Sequence, residues 1–240
     1  MAIAVPLPMP NPAQPVVYVT GVFSLPFTPS HIVAVLPLAK LSRHIPFSAL
    51  AIAAMVPDLP LFLPILNYSW THSIPGLFAA CVPVGLVAFV IYEFLFKHPL
   101  VALLPPRYTL RTSSKHWSWH KPTFQSILML LVALVIGAAT HIFWDSFTHA
   151  GQWGVNRVPA LARSYDIYGA SLAGYKLFQY GSSLLGLPLL GLVFLQSLVP
   201  VTSPHRPADH LHTGVRLGVG LVLLAILIVV SVIALDSSEN

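Results

Sequence analysis

The stretch GAATHIFWDSFTHAG, residues 137 to 151, sets His141, Asp145 and His149 four residues apart. At about 100° per helical residue, positions i, i+4 and i+8 fall within an arc of roughly 80°, so the three side chains make one stripe if the segment is helical. Imidazole nitrogen and carboxylate oxygen suit Zn²⁺ and similar borderline dications, and the i, i+4 spacing lets two of them grip one ion. Three more donors of the same kind are Asp58 in MVPDLP, His72 in NYSWTHS and His31 in PFTPSH. Six donors more than fill a tetrahedral site, and two ions could share Asp58 or Asp145 as a bridge. The residues alone leave two other uses open. One is a metal-free acid–base site built on Asp58 or Asp145, and the other is a polar network that only orients helices.

The segments that must carry these side chains are unusually apolar. The chain has 240 residues, of which 56% are hydrophobic and 8% charged, and its mean hydropathy is +0.78. A soluble domain could not clothe itself in water with that composition, so an all-α integral membrane bundle is expected. Apolar runs near the about 20 residues needed to cross a bilayer occur at Ser73 to Phe96, Phe124 to His149, Leu172 to Val199 and Gly214 to Leu235. A weaker run, Phe47 to Leu66, is interrupted by Pro57, Pro60 and Pro64, and Pro29 to Ala39 is too short to span. Four firm spans, a proline-broken fifth that precedes them and a short half-membrane helix are therefore expected. Thr28 reads as the N-cap of that short helix, with Pro29 at its first helical position and His31 in its first turn.

Three regions follow from this division: a proline-rich extended segment over 1–27, a helix bundle carrying the polar site over 28–199, and a loop with a last membrane helix over 200–240. The N-terminal segment has no lysine or arginine before Lys40, unlike the basic start of a secretory signal peptide. The single cysteine, Cys81, falls in an apolar run and has no partner for an internal disulfide. No Gly-rich phosphate loop or aromatic–basic nucleic-acid pattern is present, so no nucleic-acid partner is expected, and the +5 charge calls for a membrane explanation. If the runs alternate, Lys40, Arg43, Lys97, Arg107, Arg111, Lys115, Lys121, Arg206 and Arg216 share one face and Arg157, Arg163 and Lys176 the other. The positive-inside rule makes the first face cytoplasmic and puts Asp58, His72, His141, Asp145 and His149 near the opposite one.

Ionisable groups at membrane depth are costly, and their default reading is functional. Glu93 is an exception, because it precedes Lys97 by four residues and reads as a helix ion pair. The histidines of KHWSWHK, residues 115 to 121, sit among lysines and tryptophans and read as a headgroup-level loop. Trp70, Trp144 and Trp153 lie near the level of the polar cluster, as interfacial anchors or as pocket walls.

Taken together, PFTPSH, MVPDLP, THSIPG, GAATHIFWDSFTHAG and FQYGSSLLGL resemble an uncharacterised, mainly bacterial membrane-protein family with a PFTPSH opening and a THxxWDxFTH helix. That family is similar to membrane-bound metal-dependent hydrolases and, more distantly, to the zinc-dependent phospholipase C and P1 nuclease group. The likeness runs from about Pro26 to Leu187. It implies a helical fold in which His31, Asp58, His72, His141, Asp145 and His149 are metal ligands, with one or two zinc or other divalent ions. A later helical histidine-to-acid pair, which the soluble enzymes use for a third ion, is absent, since DHLHTG at 209 to 214 maps to the cytoplasmic side. The implied activity is phosphoester hydrolysis, with Asp58 or Asp145 orienting or deprotonating water.

A site at the membrane rim, floored by apolar helices, suits a substrate with a polar head and an apolar tail, such as a phospholipid or a polyprenyl phosphate. Arg157, Arg163, Lys176, Gln179 and Ser182, with Ser183 beside them, are the candidates to meet its headgroup. Two rivals use the same residues differently. A metal-free lyase or terpenoid cyclase would start a carbocation from a protonated Asp58 or Asp145, and a metal or proton transporter would need a polar path leading on toward the cytoplasm.

Overall fold

The structure is a computed structural model and describes residues 28–41, 45–63, 66–104, 108–110 and 123–200. Residues 1–27, KHWSWHK, DHLHTG and the expected Gly214 to Leu235 span lie outside the described residues.

The described chain is mostly helical, as expected. Three helices are long and apolar enough to cross a membrane: Ile74–Phe96, Phe124–Asp145 and Gly174–Ser197. At about 1.5 Å per residue each reaches roughly 33–36 Å, the scale of a bilayer's hydrocarbon core. They leave large apolar side chains outside, among them Phe78, Phe94, Leu184 and Leu185. Water would penalise such a surface and lipid does not. By length and composition these are the helices of an integral membrane protein.

Local chemistry sets where each span starts and stops. Ser73 caps the first, its hydroxyl accepting from the Gly76 amide. Thr123 and Ser126 form a reciprocal capping box at the start of Phe124–Asp145. That helix ends at Asp145, four residues short of the expected His149. Residues beyond it turn through Gly151, whose φ of 73° suits a residue without Cβ. The last described span runs from Gly174 to Ser197 and not from Leu172 to Val199. Leu172 belongs to the strand Ala170–Ala173, and Val199 to the strand Leu198–Pro200, which pairs antiparallel with Tyr108–Leu110.

The proline-broken segment does not form one spanning helix. It is helical over Phe47–Ala53, tightens to a 3-10 turn at Val56–Asp58, resumes at Leu59–Phe62 and becomes extended at Leu63. Pro57 has no N–H to offer the Ala54 carbonyl a turn earlier, which leaves that acceptor free for another partner. The Thr28–Leu38 helix is likewise short.

The core lies where these short helices meet the Phe124–Asp145 span. Val35, Ala49, Leu50, Ala53, Phe89, Leu130, Ala133 and Leu134 form one buried cluster. Its closest approach is at Gly137, where an added Cβ would stand 2.5 Å from the Leu50 carbonyl oxygen and 2.7 Å from Ala53 Cβ. At the far end Glu93 is buried, with Lys97 Nζ 2.6 Å from its carboxylate, the expected helix ion pair. Replacing Gly137 with leucine should therefore cost about 1–3 kcal/mol by overpacking. Gly191→Ala, where a Cβ meets nothing within 4 Å, should cost no packing energy. Denaturation of the detergent-solubilised variants checks both outcomes.

Candidate metal centre

His141 projects from the last turn but one of its helix and is fully buried. Its Nδ1 lies 2.7 Å from the Ala54 carbonyl oxygen, the acceptor that Pro57 leaves free. A carbonyl can only accept, so Nδ1 carries the proton and Nε2 presents a lone pair. His72 follows the single turn Tyr68–Thr71, which Asn67 caps through the Trp70 amide. Its Nδ1 lies 3.0 Å from the Tyr68 carbonyl oxygen, which imposes the same tautomer. The two Nε2 atoms face each other at 3.3 Å.

Two carboxylates complete the group. Asp145 Oδ2 is 3.3 Å from both His72 Nε2 and His141 Nε2. Asp58 Oδ1 is 3.3 Å from His141 Nε2 and 3.7 Å from His72 Nε2. Four acceptor atoms therefore converge with no proton among them in the neutral-imidazole state, all within 4.8 Å of one another. Such a group is self-repelling until a cation occupies it.

Distance separates the two possible cations. A protonated imidazole pulls a carboxylate to about 2.7–2.9 Å. Ligands arranged tetrahedrally about 2.0–2.1 Å from an ion stand roughly 3.3–3.4 Å apart. Of the six spacings among the four atoms, four are 3.3 Å and one is 3.7 Å, and all lie within 4.8 Å. The four shorter ones have the length of edges of a coordination tetrahedron and are too long for tight ion pairs. Asp58, His72, His141 and Asp145 can hold one metal ion.

The groups around the four donors hold them in place. Thr28 is buried, and its hydroxyl donates to Asp58 Oδ2 at 2.7 Å. From the first position of the short helix, Thr28 thus steadies a carboxylate across the bundle. Thr148 Oγ1 lies 3.3 Å from Asp145 Oδ1, and Tyr68 donates to Asp145 Oδ2 at 3.5 Å. Burial, then the Asp145 and Asp58 carboxylates, push the Tyr68 phenol above its ordinary pKa, so it remains a donor. Thr71 is buried and donates to the Pro57 carbonyl at 2.8 Å, tying the His72 turn to the proline break.

His31 and His149 flank the tetrahedral group. The His31 ring stacks on His141 with centroids 3.8 Å apart, and its Nε2 is 3.4 Å from Asp145 Oδ1. His149 stands beyond the helix end and not on the helical stripe expected for it. The turn nonetheless returns its Nδ1 to 3.5 Å from Asp145 Oδ2, with the side chain about one-third exposed.

A cavity of about 50 Å³ adjoins the centre, room for a few water-sized groups. Gln179 and Ser182 line it, with Ser30, Ser183 and Trp144. Gln179 Nε2 is 3.5 Å from His149 Nε2, and Lys176 Nζ donates to Gln179 Oε1 at 3.0 Å. Arg157 and Arg163 are exposed and are not among the lining residues; Arg157 lies over the Trp153 ring instead. Trp144 is a cavity wall, stacked on Phe178, whereas Trp70 and Trp153 are outward-facing.

Sequence reasoning missed the supporting hydroxyls Thr28, Tyr68, Thr71 and Thr148. The threonines of PFTPSH and WDSFTH stood beside donors already singled out, and that adjacency was the available signal. The two carbonyls could not be found from side-chain types.

The chain matches the family described as Domain of unknown function (DUF4184) over residues 25–239 and belongs to it. The match takes in every residue of the centre. No curated protein and no solved structure matches the chain.

Outer-shell partners of metal ligands typically carry 10–100-fold in affinity. Thr28→Val, which removes the donor to Asp58 and keeps the shape, should weaken binding of a divalent metal about 10–100-fold. Calorimetric titration of the metal-stripped protein checks it.

Proposed function

We propose that this protein is a membrane-embedded, metal-dependent hydrolase acting on a phosphoester of a lipid or isoprenoid amphiphile. The observation that carries the reading is the convergence of two imidazole lone pairs and two carboxylate oxygens, at tetrahedral spacing, beside a small polar cavity in an otherwise apolar bundle. An N₂O₂ donor set of this kind suits zinc, and its four members account for one ion. When bound, such an ion supplies Lewis acidity toward a phosphoryl oxygen and lowers the pKa of water.

The chain's own residues supply the rest. Asp58, steadied by Thr28, shares the negative charge that holds the cation. Asp145 has one oxygen among the four donors and the other turned toward Thr148 and His31, where it can orient a water or take its proton. Gln179 and Ser182 offer an amide and a hydroxyl to the non-reacting phosphate oxygens, and Lys176 adds a compensating charge nearby. Leu61 and Trp144, also in the cavity wall, suit the first carbons of an apolar tail. By the distribution of lysine and arginine, the centre faces the non-cytoplasmic side.

Transport fits less well. Among the described residues, Val35, Leu50, Ala53, Ala133 and Leu134 pack into one buried apolar cluster, which offers an ion no polar partner.

Elemental analysis and lipid-phosphoester turnover of the purified full-length chain test the proposal together. About one equivalent of zinc is expected in the wild type, lost in His141→Ala and Asp145→Ala, with turnover falling about 100-fold or more. A wild type that holds no divalent metal, or turnover that survives chelation, overturns the reading in favour of metal-free acid catalysis by an aspartate.

A further inference from the structure

Residues 146–173 leave the membrane at the end of one span and return at the start of the next, so both ends of this excursion are held at one face. It contains two short helices, Trp153–Arg157 and Pro159–Ala162, and a hairpin of Ser164–Ile167 with Ala170–Ala173. The hairpin is fixed at its base. The Gly174 amide donates to the Arg163 carbonyl at 2.8 Å, and the Tyr165 hydroxyl donates to the Ala160 carbonyl at 3.0 Å.

The tip is chemically odd for a turn in water. Tyr168 and Gly169 have φ of 51° and 82°, the two-residue geometry that Asn-Gly or Asp-Gly ordinarily supplies. A bulky side chain is disfavoured at positive φ, yet position 168 carries a tyrosine, fully exposed at 106%. Tyr165 and Ile167 of the same hairpin, and Trp153 earlier in the excursion, are exposed too. The excursion's charge is net positive. Arg157 and Arg163 are exposed cations against the single Asp166 carboxylate, which accepts the Gly169 amide at 2.8 Å inside the turn.

We infer that this excursion is a lipid-docking surface, with the Ile167–Tyr168 tip in the headgroup region and Arg157 and Arg163 meeting anionic lipid phosphates. Three observations favour lipid over another protein. The patch is continuous with two membrane spans. Its aromatic members are tyrosine and tryptophan, which settle where one end of a ring is apolar and the other wet. Its net charge is positive, complementary to anionic headgroups. The hairpin leads directly into the helix bearing Lys176 and Gln179, so docking would hold headgroups beside the cavity mouth.

The chain's only cysteine, Cys81, is buried, so Tyr168→Cys creates one accessible thiol for a bimane label. The labelled full-length chain is reconstituted in vesicles of phosphatidylcholine alone and of phosphatidylcholine with phosphatidylglycerol in equal parts. Quenching by nitroxide lipid should exceed quenching by aqueous iodide several-fold, more so in the anionic vesicles. Arg157→Gln with Arg163→Gln should erase the difference between the vesicles. Free quenching by iodide with none from lipid overturns the inference, and so does shielding from both, which would mean that another protein or a second copy covers the tip. Ile167→Cys repeats the measurement should the first variant fold poorly. Neither variant touches the metal centre, so the outcome is independent of the hydrolase reading.

Discussion

The Ala54 carbonyl accepts from His141 Nδ1 at 2.7 Å and the Tyr68 carbonyl from His72 Nδ1 at 3.0 Å. Because a carbonyl has no proton to give, each ring keeps its Nε2 lone pair turned on the other, 3.3 Å away. With Asp58 and Asp145 closing the ring of acceptors, the interior of this bundle holds a pocket that only a cation makes favourable. Buried charge is tolerable when paired and costly when not. The cluster's stability and its chemistry therefore turn on the same occupant.

That arrangement is prepared by ordinary packing. The Phe47–Ala53 helix lies close against Phe124–Asp145 because Gly137 lacks a side chain, and it gives way to a 3-10 turn holding Pro57, whose missing N–H releases the Ala54 carbonyl. Thr71 then ties the Pro57 carbonyl to the turn that carries His72. One glycine, one proline and one threonine thus aim the second imidazole at the first. The hydroxyls of Thr28 and Thr148 meet the carboxylate oxygens outside the donor set, Asp58 Oδ2 and Asp145 Oδ1, and Tyr68 donates to Asp145 Oδ2 itself.

Much of this was legible in the sequence, for reasons that differ by residue. Apolar runs of membrane length mark three spans to within a few residues, because burying backbone in lipid demands uninterrupted helix. The His141–Asp145 pair was readable because i, i+4 geometry is local. Asp58 and His72 could be grouped with it only by the membrane level the expected topology gave them, and His31 by the family resemblance, since tertiary packing alone brings them together. His149 shows the limit of periodicity. The helix stops at Asp145, and a turn restores by another route the proximity that the stripe had implied. The 168–169 hairpin left no period to read, and the carbonyl acceptors left no side chain.

X-ray absorption at the zinc edge, on the full-length chain reconstituted in lipid and loaded with one equivalent of zinc, probes the centre most directly. Four ligands at about 2.0–2.1 Å, with the outer-shell scattering of two imidazoles, are the expected result. A first shell of oxygen alone, without the imidazole signature, would contradict the inward-facing Nε2 pair.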